Sequence, residues 1–171
     1  MSADAVPATQ SVQLTVNGQP HTVEVRYVDD MLVDFLRDEL GLVDVKIGCR
    51  EGACGACAVL VDGVAVTSCL VYLARADGTE IATASYLLEA PLGERIGAAF
   101  VENRAMQCGY CTPGMVVCAY GYLAAEPSAD TLDRATIADA FRGHLCRCTG
   151  YTRILDAVSE VAQNSHGDAT D

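Results

Sequence analysis

Eight of the nine cysteines fall into two spaced sets of four, Cys49/Cys54/Cys57/Cys69 and Cys108/Cys111/Cys146/Cys148. Four thiolates complete one metal or iron–sulfur site. The first set reads C-x4-C-x2-C-x11-C, the plant-type [2Fe–2S] spacing, in which a tight loop offers three sulfurs and a distant segment supplies the fourth. The second reads C-x2-C, a long gap, then C-x-C. The loop from Gly48 to Cys57 is built of small residues, which let backbone N–H groups approach inorganic sulfide. Two complete sites in one small chain point to electron transfer, because electrons hop between closely spaced clusters and a structural role rarely needs two.

Other uses of the thiols compete with that reading. A secreted disulfide framework is disfavoured by the odd cysteine number and by a start, Met1 to Pro7, with neither basic residues nor an apolar core. The expected compartment is the cytoplasm, where thiols stay reduced. Zinc is the stronger rival, but structural zinc pairs one C-x2-4-C knuckle with a similar second one, and neither set does so. It stays open more for the second set than for the first. Cys118, the ninth cysteine, lies in an apolar stretch and reads as a small buried hydrophobe. His144 beside Cys146 invites a Rieske-type reading, yet both cysteine sets are already complete; it reads as a capping or contact residue. Arg147, between two candidate ligands, either offsets cluster charge or fixes the loop.

The elements that must position these thiols follow from pattern. Val12, Leu14 and Val16 alternate with polar residues, Asn17-Gly18 supplies a turn, and Val23, Val25 and Tyr27 resume the alternation, which predicts a β-hairpin. Asp29 or Asp30 is expected to cap a helix with Leu32, Phe35, Leu36 and Leu40 on one face, ended by Gly41. Ala58 to Val61 and Val64 to Thr67 form a second hairpin about Asp62-Gly63, and Asp77-Gly78 with Ile81 suggests one more turn and strand. From about residue 88 the strand signal gives way to helices. The first has Ile96, Ala99 and Phe100 on one face. The second runs from Thr112-Pro113 to about Glu126, stopped by Pro127. A third covers about 132–142 with Ile137 and Phe141 inward, and a fourth opens at Thr149-Gly150 with Ile154, Leu155, Val158, Val161 and Ala162 on one stripe. Cys108 and Cys111 then precede a helix N-terminus, where the dipole favours an anionic cluster. The predicted division is 11–87 and 88–163, with mobile tails at 1–10 and 164–171.

A net charge of −12 argues against nucleic acid and anionic membranes as partners. The longest apolar stretch, Met115 to Ala125, is too short to span a bilayer and reads as a buried helix. No dinucleotide-binding glycine pattern, P-loop or catalytic triad is present, so nucleotide cofactors are expected to bind elsewhere and substrate chemistry is not expected on this chain.

Four motifs in order, Gly48 to Cys57, Ser68-Cys69-Leu70, Gln107 to Gly114 and Leu145 to Tyr151, resemble the iron–sulfur subunit of the molybdenum hydroxylases, the xanthine dehydrogenase family, over about residues 12–162. The resemblance implies an α+β chain: an N-terminal plant-type [2Fe–2S] ferredoxin-like β-grasp domain followed by a C-terminal four-helix-bundle [2Fe–2S]-binding domain. It implies one cluster on each cysteine set, with Gln107 and Cys148 lying against a molybdenum-pterin cofactor on a large subunit. Electrons would pass from that pterin through the helical-domain cluster and the ferredoxin-like cluster to FAD on a medium subunit or to another acceptor, within a dimer of heterotrimers. Two positions depart from the pattern: His144 where Asn is common, and Ala84-Ser85 where Val-Glu is common. A free-standing two-cluster ferredoxin-like carrier and a structural zinc adaptor are the alternative functions.

Overall fold

The computed structural model describes residues 10–125 and 133–164. Both predicted hairpins form. Strands β1 (Gln10–Val16) and β2 (Gln19–Val25) pair antiparallel with Val12 opposite Val23, and both turn residues, Asn17 and Gly18, take the positive φ that a two-residue hairpin turn demands. Asp62 and Gly63 do the same between β3 (Ala58–Val61) and β4 (Val64–Thr67). Strand β5 (Glu80–Ala82) lies parallel to β1 and antiparallel to β3, giving one five-stranded sheet of order β2-β1-β5-β3-β4. Strand β2 stops at Val25, so Tyr27 does not extend the alternation as expected; it is exposed.

The helix after this hairpin differs from its prediction in two ways. Helix α1 (Leu32–Asp34) passes directly into a π-helical turn, Phe35–Glu39, in which Leu40 N–H reaches back to the Phe35 carbonyl. The wider turn buries Val33 beside Leu32, Phe35 and Leu36, and leaves Leu40 only half-buried. Neither aspartate caps it. Met31 occupies the N-cap without a side-chain bond, because the Asp30 carboxylate accepts instead from the Arg26 and Tyr27 N–H groups at 2.8 and 3.0 Å. Gly41, at φ +70°, ends the helix as predicted.

Helices begin slightly earlier than residue 88, with the short α2 (Ala84–Leu87). Then come α3 (Pro91–Glu102), α4 (Thr112–Ala125), α5 (Arg134–Ala140) and α6 (Thr152–Asn164). Helix α5 is shorter than expected, since the Asp133 carboxylate caps it through the Thr136 N–H at 2.7 Å. The expected stop at Pro127, the helix start at Leu132, and the tails apart from Gln10 and Asn164 lie outside the described residues; Gln10 opens β1 and Asn164 closes α6.

Two buried clusters meet at β3. Val59 joins the sheet core with Val12, Leu14, Leu32, Leu36 and Ile81, whereas Ala58 and Leu60 on the other face pack with Phe100, Met115, Ile137, Phe141 and Ile154. Helix α4 makes this possible. It is apolar all round, so one side faces the sheet while another faces α3, and α3 in turn packs on α6. The α+β arrangement is the one the motifs imply, and no helix of the described residues is long and apolar enough to cross a membrane.

Candidate metal centres

The first set of thiols is wound by its own backbone. Arg50, Gly52 and Gly55 all take positive φ, which coils residues 48–57 into a tight loop. For Arg50 that conformation is unusual, and its guanidinium forks onto the Asp34 carboxylate at 2.6 and 3.0 Å, tying the loop to α1. Gly48 is required by closeness: a Cβ there would press on the Cys54 sulfur. The Ser68 hydroxyl and N–H both bond the Cys57 carbonyl, at 2.7 and 3.2 Å, and so deliver Cys69 beside Cys57. Cys49 lies against Cys54 in the same way.

Burial divides these four. Cys57 and Cys69 are buried, and burial pushes the Cys57 thiol up to about 11. At the half-exposed rim the Glu51 N–H donates to Cys49 Sγ at 3.3 Å and, with Cys54, lowers that thiol to about 7.

The second set is assembled from helix ends. Cys108, Gly109, Tyr110 and Cys111 lead into the N-terminus of α4, and Cys146 to Cys148 lie between α5 and the N-terminus of α6. Cys148 and Cys108 sulfurs are 3.6 Å apart, and Cys111 lies against Cys146. Burial, then the Cys146 neighbour, pushes Cys111 up to about 12; the Cys108 contact raises Cys148. Burial also works to raise Cys146, but the Thr149 hydroxyl and N–H, with Cys148 and Cys111, outweigh it and hold that thiol below its ordinary value. The Thr149 Oγ1 is 3.1 Å and its N–H 3.4 Å from Cys146 Sγ. Tyr151 completes the loop: its hydroxyl accepts from the Cys146 N–H at 2.9 Å and donates to the His144 carbonyl at 3.1 Å. Gln107 Nε2 donates to the Cys148 carbonyl at 3.1 Å, and both residues are exposed on one corner.

The two loops touch. Leu145 N–H donates to the Cys54 carbonyl at 2.9 Å, and the Tyr110 hydroxyl donates to the Ile47 carbonyl at 2.6 Å. Gly114, in the first turn of α4, sits on the Gly55 carbonyl with no room for a Cβ. The His144 ring packs on Gly55 and against Phe141; it is a contact residue, burial lowers its pKa, and neither ring nitrogen has a hydrogen-bond partner among the described residues. Arg147 is exposed and forms no bond with the described residues. Cys118 is buried in α4, donates to the Ala140 carbonyl at 3.4 Å, and is pushed up to about 12 by burial. Motif spacing located all eight paired thiols, but not Tyr110, Leu145, Thr149 or Tyr151 as connectors. The signal available was their place in the two motifs, Tyr110 between Cys108 and Cys111 and the other three flanking Cys146 and Cys148.

The donor chemistry suits iron–sulfur clusters. All nine cysteines are free, and each set forms two thiol pairs, the shape of a binuclear cluster with two thiolates per iron. Among the described residues no three His, Cys, Asp or Glu side chains converge as a single ion would require. A cationic group bound among these sulfurs would stabilise their thiolate forms, the buried Cys57 and Cys111 included, and release their protons to solvent.

Comparison with known proteins agrees. The 2Fe-2S iron-sulfur cluster binding domain matches residues 14–88, and the [2Fe-2S] binding domain matches residues 83–159. The chain is 41% identical to the nicotine 6-hydroxylase small subunit of Paenarthrobacter nicotinovorans, covering 88% of each chain. It is 39% identical to the xanthine dehydrogenase iron-sulfur-binding subunit of Escherichia coli O157:H7, over 88% of this chain and 92% of that one. A solved structure, quinoline 2-oxidoreductase from Pseudomonas putida 86, superposes with a TM-score of 0.80 at 35% identity, covering 92% of this chain and 96% of that chain. With both cluster domains matched in order and near-complete coverage of such relatives, the chain belongs to the iron–sulfur small subunits of the molybdenum hydroxylases, the xanthine dehydrogenase family.

Proposed function

We propose that this electron-transfer subunit of an oxidoreductase carries two [2Fe–2S] clusters and relays electrons from a molybdenum-pterin cofactor on a large subunit to FAD on a medium subunit or to another acceptor. Cys49, Cys54, Cys57 and Cys69 would hold one cluster, and Cys108, Cys111, Cys146 and Cys148 the other. Each bound cluster supplies a one-electron redox centre.

The observation that carries this reading is the Leu145 N–H···O=C Cys54 bond. It joins a residue of the first set to the neighbour of Cys146, so the two centres share a short covalent and hydrogen-bonded bridge. The chain's residues provide spacing and shielding around it. Gly55, Gly114 and His144 fill the gap between the loops, and burial of Cys57 and Cys69 keeps water from one side of the first centre. The exposed Gln107–Cys148 corner supports docking of the pterin there, and the half-exposed Cys49 rim supports exit toward the acceptor. The proposed division into 11–87 and 88–163, the cytoplasmic setting and the dimer of heterotrimers belong to the same reading.

Iron per chain and EPR of the dithionite-reduced protein test it. Two distinct spin-half signals, with two irons for each cluster, are expected. One signal and one cluster's worth of iron would leave the second set to zinc or empty and overturn the relay. Copurification with a large molybdenum-containing subunit separates the relay from the free carrier, which would purify alone.

A further inference from the structure

Thr149 is placed to act on one sulfur of the second centre. Its Oγ1 lies 3.1 Å from Cys146 Sγ, and its N–H donates to the same atom at 3.4 Å. When Cys146 ligates iron as a thiolate it has no proton to give, so in this contact the hydroxyl must donate. The hydroxyl is also oriented. Its oxygen accepts from the Tyr151 N–H at 3.2 Å, and Tyr151 adopts φ +66°, a left-handed conformation rare for a tyrosine. That conformation is secured at the other end of the side chain. The Tyr151 phenol is held between the Cys146 N–H and the His144 carbonyl. A closed ring of hydrogen bonds through residues 146, 149 and 151, anchored on the His144 carbonyl, therefore aims one O–H at one ligand sulfur.

We infer that Thr149 is a potential-setting residue for the second cluster, raising its midpoint potential through an O–H···S bond to Cys146. This deepens the relay reading and rests on Cys146 being a cluster ligand. A bound [2Fe–2S] cluster would accept one electron from the proposed molybdenum-pterin donor, with no proton transferred and no bond broken. The extra negative charge is spread over the ligand sulfurs, and a donor aimed at one of them stabilises the reduced form more than the oxidised form. Thr149 thereby sets the driving force for electron entry into, and departure from, this centre. At the first centre the donor to Cys49 Sγ is the backbone N–H of Glu51, which side-chain substitution does not remove.

EPR-monitored redox titration of the full chain with both clusters tests this, using Thr149→Val, which keeps the shape without the hydroxyl, and Thr149→Ser, which keeps the hydroxyl. The second cluster's midpoint is expected to fall in Thr149→Val and to return toward the native value in Thr149→Ser, while the first cluster's midpoint stays fixed as an internal reference. An unchanged second midpoint in Thr149→Val, with both clusters retained, overturns the inference. So does an equal fall in Thr149→Ser. Should Thr149→Val fail to retain the cluster, pulsed EPR on the native protein before and after exchange into D2O decides. An exchangeable side-chain proton coupled to the second cluster supports the bond, and coupling from backbone N–H protons alone overturns it. A native chain with a single cluster's iron would instead remove the relay reading itself.

Discussion

The two centres reach similar donor sets by opposite routes. The first is wound by a contiguous loop whose shape depends on three left-handed residues, Arg50, Gly52 and Gly55, with the fourth thiol returned by a hairpin. The second is divided between two distant segments, each with left-handed residues of its own, Gly109 in one and Gly150 and Tyr151 in the other. Its thiols sit at the ends of α4, α5 and α6, and their placement depends on how those helices pack and on the bonds of Thr149 and Tyr151. A contiguous loop thus holds three thiols of one centre, whereas helix packing must hold together the two halves of the other, so distant core damage should reach them unequally.

Phe100→Ala should separate them most. Phe100 is buried in the helical core, and its truncation is expected to cost about 3–5 kcal/mol and to cost the second centre its iron before the first. Thermal melts with iron analysis and EPR check this, and simultaneous loss of both signals would break the contrast. Gly114→Ala asks how strongly the centres are joined. Its Cβ would strike the Gly55 carbonyl, backbone that cannot swing aside, so a loss of about 1–3 kcal/mol is expected. A change in spin–spin relaxation between the clusters should accompany it, because α4 must move off the first loop. Tyr110→Phe removes only the bond to the Ile47 carbonyl and should lower stability by about 0.5–1.5 kcal/mol in urea unfolding, with both signals kept.

The smallest effect concerns pH. The Asp44 carboxylate accepts from the Ser85 N–H and hydroxyl, both at 2.9 Å, and so ties the segment after the π-turn to the start of α2. Burial works to raise its pKa, but the Ser85 and Thr83 donors hold it below the ordinary 3.8. A carboxylate depressed by folding adds stability above its unfolded pKa and loses it as pH falls through the lower folded value. Urea midpoints below about pH 4 should therefore fall less steeply in Asp44→Asn than in the native chain. Parallel acid limbs would show that Ser85, at the position departing from the family pattern, makes no pH-dependent contribution there.

Much of this molecule was legible because its signals are local. Asn17-Gly18 and Asp62-Gly63 announce their hairpins, and cysteine spacing announces both donor sets. What was not legible depends on partners far along the chain. The π-turn buries Val33 and Phe35 in the sheet core among residues from distant strands, and the diversion of Asp30 to Arg26 and Tyr27 is one of several satisfactory choices for an aspartate in a turn. Helix α4 shows no polar side, so its sequence could not say which face meets the sheet; Gly114 answers only once Gly55 is placed. The bridge from Leu145 to Cys54 uses backbone groups, which any residue would offer.

Helix α4 also governs how such a protein can be inherited. A cut between β5 and α3 would bare Ala58 and Leu60 on one fragment and the sheet-facing side of α4 on the other, leaving two sticky pieces. The sheet half could be borrowed alone by another lineage only after acquiring a polar replacement for that covered face.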